Sequence, residues 1–167
     1  MIDRRSVLSA TPLLAASAAF GATRAAGATD PANAALLRRY IELKNAHDVT
    51  HCDEIYAEDY VEHSGRNPSG LPALIKNWMS QFAGIPDVRL TLEDEIFSGD
   101  KVVARITYSG THTRPFLPNL APTGRAFTFG TIDIWRVAQG KFAEHWDQVD
   151  FAGLARQLQP SPPSGTP

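Results

Sequence analysis

Cysteine is almost absent, with Cys52 alone in 167 residues. That excludes an intramolecular disulfide framework and the paired-thiolate cages of structural zinc sites. An excess of one charge is missing too, because 16 Lys and Arg stand against 18 Asp and Glu for a formal charge of −2. The basic residues are scattered, so no stripe offers the electrostatic footprint that nucleic-acid binding requires. No G-x-S-x-G elbow, H-E-x-x-H helix, H-x-H pair or glycine-rich phosphate loop occurs. The sequence signals of serine hydrolases, zincins and nucleotide-binding loops are therefore missing. What is present is a globular composition, 43% hydrophobic and 20% charged, at the length of one domain. Without a covalent staple, stability rests on packing.

The N-terminal stretch reads as an address. A charged start, Asp3-Arg4-Arg5, precedes a small apolar run from Val7 to Ala22. Arg4-Arg5-Ser6-Val7-Leu8 resembles the twin-arginine export signal, with Val7 where Phe is most frequent. The run contains Pro12 and many Ala and Ser, short of the roughly 20 strongly apolar residues that span a bilayer. No stable membrane anchor is expected. Ala26-Gly27-Ala28 follows the A-x-A cleavage pattern better than Thr23-Arg24-Ala25. Residues 1–28 are therefore expected to be an export signal peptide, 29–159 the folded domain of a periplasmic or secreted protein, and 160–167, with four prolines, a disordered tail.

Within the domain, Leu36, Leu37, Tyr40, Ile41 and Leu43 recur at helical spacing, with Asp30 or Asn33 available as a cap. A short second helix is expected over Thr50–Ala57. A third runs over Leu71–Phe82, with Leu74, Ile75, Trp78, Met79 and Phe82 on one face. The period then drops to two: Val88, Leu90 and Leu92 alternate with polar residues, and Ser98-Gly99-Asp100 turns the chain into a strand from Lys101 to His112. Pro115, Pro118 and Pro122 mark a loop. Arg125–Val137 and Lys141–Asp150 form a second hairpin around Ala138-Gln139-Gly140, and Phe151–Leu158 forms a short closing helix. Three helices followed by four antiparallel strands predict an α+β fold, with helices on one face of a curved sheet. An apolar cavity at the open end suits a small hydrophobic molecule.

A bulged turn pairing Val137 with Lys141 places Asp133 opposite His145 and Thr131 opposite Asp147. Asp133, His145 and Asp147 then share a face, whereas a turn without the bulge would slip the register by one and put Asp133 on the opposite face from the other two. With the bulge, Ile132, Ile134, Phe142 and Trp146 fall on the other face, as core or dimer surface, and in a structural dimer an open sheet face carrying Trp135 or Trp146 would be buried in a partner. The even positions of the preceding strand, Val102 to His112, form an apolar face with Tyr108 lining the cavity and His112 at its mouth. His63, following Tyr60-Val61-Glu62, is expected to point inward from the helical side. A partly dehydrated carboxylate beside a hydrogen-bonding partner is what proton transfer next to a carbonyl requires. Asp147, Asp133 and His63 are therefore the catalytic candidates, and His145, His112, Tyr108 and Trp78 the substrate-binding ones. The His and Asp spacings match no metal motif, and no metal is expected.

These residues also carry a resemblance. Gly110-Thr111-His112, Pro122-Thr123-Gly124-Arg125, Ile132-Asp133-Ile134-Trp135-Arg136-Val137 and Gly140-Lys141-Phe142-Ala143-Glu144-His145-Trp146-Asp147, with Tyr60-Val61-Glu62-His63 upstream and Gln157-Leu158 downstream, occur in this order. The set resembles the SnoaL-like polyketide cyclase family, in its branch of predicted ester cyclases. The resemblance implies an NTF2-like cone, a homodimer, and a pocket between sheet and helices. It further implies intramolecular aldol ring closure without metal or cofactor, with Asp147 as the acid/base aspartate and His63 and Asp133 at polar pocket positions. A non-catalytic module holding a hydrophobic small molecule in the same cone is the alternative reading, and a purely structural dimer a third.

Overall fold

The structure is a computed structural model that describes residues 30–117 and 120–159. The expected export peptide and C-terminal tail lie outside the described residues. Asp30 is the cap chosen for helix α1 (Pro31–Ala46): its carboxylate accepts from the Ala32 and Asn33 amides, satisfying donors the first turn leaves orphaned. The helix stops where His47 turns left-handed at φ 56°. Leu37, Tyr40, Leu43 and Lys44 form its buried face.

Here the chain departs from expectation. Only Cys52–Ile55 is helical (α2), and Tyr56–Glu62 is a strand, β1. Ile55 and Tyr56 followed by Tyr60 fit neither period cleanly, and the sheet edge decides the matter. Strand β1 runs parallel to the last strand, so the sheet is antiparallel only in its other four strands. Helix α3 (Leu71–Gly84) follows, then β2 (Arg89–Ser98), β3 (Lys101–Thr111), β4 (Ala126–Ala138), β5 (Lys141–Val149) and the closing helix α4 (Phe151–Leu158). The strand order is β1-β5-β4-β3-β2. Two helices thus precede the first strand, and α3 lies between β1 and β2.

The apolar face of β3 is as expected: Val102, Ala104, Ile106 and Tyr108 are buried. The hairpin β4–β5 differs in detail. Its turn is the two residues Gln139 and Gly140, both at positive φ, which matches the right-handed twist of the flanking strands. The extra residue sits inside β5 instead: Val137 faces Phe142 while Arg136 faces Glu144, leaving Ala143 as a bulge. Asp133 therefore lies opposite Asp147, and His145 opposite Trp135. The offset is two residues, so the face shared by Asp133, His145 and Asp147 is kept. The bulge also turns Phe142 into the core. There it stacks on Trp135 at 4.9 Å, and both rings are almost fully buried. Phe142 and Trp135 are core residues, not parts of an outer surface. Ile132 and Ile96 do stand exposed on the outer face.

Gly110 leaves no room for a side chain, because a Cβ there would lie 2.5 Å from Ile85 Cγ2 and 3.3 Å from Phe127 Cζ. Gly110→Ala should cost roughly 1–3 kcal/mol through this overpacking. A urea denaturation midpoint matching the wild type would show that the loop carrying Ile85 yields freely.

Candidate active site

Between the sheet and helices α1 and α3 lies a cavity of about 300 Å³, at the small end of the range for small-molecule sites, about 300–1,000 Å³. Tyr40, Tyr56, Tyr60, Trp78, Tyr108 and Phe129 supply rings to its wall, and Glu62, Arg66, Asp133, His145 and Asp147 gather along it. Lys44 lines the wall as well.

His145 is clamped between two carboxylates. Its Nδ1–H donates to Glu62 Oε2 and its Nε2–H to Asp133 Oδ1, each at 3.0 Å. Burial alone would strip the imidazole of its proton, but the bonds to Asp133 and Glu62 outweigh it and hold the ring cationic, with a pKa of about 9. Glu62 shows the mirror effect. Burial raises its pKa, whereas the His145 bond and charge, the Ser64 amide and the Tyr60 hydroxyl lower it to a net value of about 2. Thr131 Oγ1 donates to the second oxygen of Asp133, and the Trp135 and Tyr60 rings lie nearly parallel to the imidazole. Strand alternation places all of this: Thr131, Asp133 and Trp135 project from one face of β4, and His145 and Asp147 from the same face of β5.

Asp147 faces a different partner. Directly opposite Asp133, two like charges would repel. The arrangement assigns each its own cation, with His145 on Asp133 and the Arg66 guanidinium on both oxygens of Asp147. Arg66 comes from the loop between β1 and α3, its side chain 37% exposed while that of Asp147 is 10% exposed. Arg66 therefore stands on the solvent side of the carboxylate, over the ring of Phe151. The cluster thus gathers three carboxyl groups around one imidazole and one guanidinium.

Of the residues expected from the sequence, Asp147, Asp133, His145, Tyr108 and Trp78 all line this cavity. His63 does not. It follows strand β1, whose inward positions are Tyr60 and Glu62, so the next side chain leaves on the other face. There it stacks on Trp146 at 4.4 Å and donates to Glu144. His112 is not at the mouth either. It is fully buried, accepts at Nδ1 from Thr123 and packs edge-on against Phe116, a structural pin for the loop after β3. Sequence reading missed Glu62, Arg66, Tyr40 and Lys44. The signal for Lys44 was available, since it sits one turn after Tyr40 within the apolar stripe of α1.

Asp133, His145 and Asp147 each offer a ligand-type atom within 4.8 Å of the others. Both ring nitrogens of His145 are already committed to carboxylates and Asp147 to Arg66, which is the chemistry of a proton-handling cluster rather than an open cation site.

A sheet bent by bulges, closed by helices around a pocket with acid/base side chains, is an α+β cone of the NTF2-like kind. The chain belongs to the SnoaL-like polyketide cyclase family, which matches over residues 34–158. It is similar to the aklanonic acid methyl ester cyclase AcmA of Streptomyces galilaeus, 28% identical over 138 residues, covering 74% of this chain and 88% of the relative. The structure of TsrD from Streptomyces laurentii superposes with a TM-score of 0.72 at 32% identity, over 78% of this chain and 97% of that one. IdmH from Streptomyces antibioticus gives 0.67 at 29% identity, over 75% and 96%. No helix among the described residues is long and apolar enough to cross a membrane.

Proposed function

We propose that this protein is an exported, cofactor-independent acid/base enzyme of the ester cyclase kind, acting as a homodimer on a small, largely apolar carbonyl or ester compound. The observation that carries the reading is Asp147, a carboxylate at the cavity wall whose only described hydrogen-bond partner is the half-exposed Arg66. The other two carboxylates are committed to His145. The likeness to AcmA supports a substrate that bears an ester.

The mechanism follows from the partners. A carbonyl compound entering the cavity meets the Arg66–Asp147 pair. Asp147 takes the proton from the carbon beside the carbonyl, that C–H electron pair moves into the C–C bond, and the carbonyl π pair goes to oxygen. Arg66, released from a carboxylate that is now neutral, donates to the enolate. His145 is not the donor, because both of its N–H groups are spent on Glu62 and Asp133. It holds the floor of the site at fixed charge. In ring closure the enolate carbon adds to a second carbonyl of the same molecule, and the new alkoxide takes back the proton from Asp147, so the product is an isomer of the substrate.

Proton abstraction can be read before the natural substrate is known. In buffered D₂O, small enolisable ketones and methyl β-keto esters should lose their α-proton NMR signal faster with the protein than without it. Compounds that raise the melting temperature yet show no exchange above buffer would instead make the cone a binding module.

A further inference from the structure

Lys44 is a basic side chain placed where ordinary ones do not go. It is 3% exposed. Its Nζ donates to Gln81 Oε1 on α3 and lies 4.5 Å from the centre of the Trp78 ring and 5.2 Å from that of Phe82. Among the described residues no carboxylate comes within ion-pair distance of it. A buried ammonium held by one amide oxygen and ring faces is costly, and such a group sheds its proton. Burial accordingly pulls the Lys44 pKa down to about 7, against the opposing pull of Asp133. A neutral amine in an apolar cavity is a nucleophile. It lines the same cavity as Asp147.

We propose that Lys44 is a carbonyl-capturing amine, whose Nζ forms an imine with the aldehyde or ketone group of a small compound held in the cavity. This rests on the reading of the cavity as a site for carbonyl compounds, and adds to it a covalent route. The Nζ lone pair adds to the carbonyl carbon, and the C=O π pair moves to oxygen. One amine proton passes to that oxygen to give a carbinolamine. The second leaves with the hydroxyl as water when the C=N bond forms. The step consumes one amine and one carbonyl and releases one water, with no oxidant or reductant. Two phenols that line the same cavity would carry the two protons. The hydroxyls of Tyr40 and Tyr108 are hydrogen-bonded at 3.0 Å, Tyr40 stands one turn before Lys44 on α1, and the Tyr108 ring centre is 5.9 Å from Nζ. Both phenols are pushed far up by burial, so they stay neutral and relay protons without losing them. An imine acidifies the neighbouring C–H, the bond that Asp147 is proposed to break.

The other three lysines are internal controls, with Lys76 exposed and Lys101 and Lys141 half-buried at the surface. The full chain is treated with benzaldehyde and sodium cyanoborohydride, which reduces an iminium to a stable benzylamine, and mapped by peptide mass spectrometry. Lys44 should acquire the benzyl group roughly tenfold or more faster than the other three lysines. Lys44→Arg and Lys44→Met should lose that adduct while the rest of the map is unchanged. Labelling confined to surface amines, or Lys44 labelled no faster than they are, overturns the proposal. The wild-type map decides this even if a variant fails to fold. Asp147→Asn separates the two readings. An adduct that persists in that variant while α-proton exchange is lost supports both. Exchange in the wild type with no Lys44 adduct overturns the imine alone, and an adduct with no exchange in the wild type overturns only the acid/base role of Asp147.

Discussion

Asp147→Asn is expected to slow α-proton exchange by about 10²–10⁴-fold, the usual contribution of one positioned acid or base, while the chain stays folded. The amide keeps the shape of the side chain and can still accept from Arg66 through its oxygen, but it cannot take a proton. The stability change should be small, within about 1 kcal/mol, because Arg66 is half-exposed and water replaces part of the lost ion pair. The loss should fall on kcat with KM little changed, since the carboxylate acts in the transition state more than in binding. The check is NMR exchange in D₂O beside a thermal melt of both proteins. A variant that exchanges at the wild-type rate removes Asp147 from the mechanism.

His145→Ala should cost far more stability, about 3–5 kcal/mol, because it strands two carboxylates in a space made for a cation. Glu62 and Asp133 each lose their charged partner, at side-chain exposures of 7% and 5%. The same cluster sets a pH dependence. The pKa of His145 is raised from 6.5 to about 9, so its contribution is complete below 6.5 and is lost as pH climbs toward 9. That of Glu62 is lowered from 4.5 to about 2, so its contribution is complete above 4.5 and is lost as pH falls toward 2. The stability gap between wild type and variant should therefore be widest between pH 4.5 and 6.5 and narrow on both sides. Urea titrations across that range measure it. A gap that widens above pH 9 would mean that the imidazole is held neutral.

The readable parts of this molecule are those in which one local pattern decides. Helix α1 has a cap and a stripe, α3 has a stripe, and β3 alternates cleanly, so each could be drawn from the residue string. Strand β1 could not. Its pairing partner is β5, more than 80 residues away, and its edge position lets Glu58, Asp59 and Val61 face outward without a period that names it a strand. With a helix expected only to Ala57 and no strand after it, the residue string offers His63 as the inward residue and passes over Glu62. The trio Asp133, His145 and Asp147 shares the expected face for a different reason: the turn itself carries no bulge, and the bulge at Ala143, which no local pattern marks, restores the parity. Arg66 was not legible at all. It reaches Asp147 from a loop, across 81 positions of sequence, and nothing local announces such a meeting.

The bulge at Ala143 makes the chain's length at that point count in one direction only. Phe142 and His145 are three residues apart yet share an inner face. Deleting Ala143 would straighten β5 and leave the pairs Trp135–His145 and Asp133–Asp147 where they are. An added residue that joins the ladder after Phe142 would instead present Glu144 and Trp146 to the cavity and send Asp147 to solvent. Relatives that vary in length here can therefore shed a residue and keep this chemistry, whereas those that gain one must find another acid.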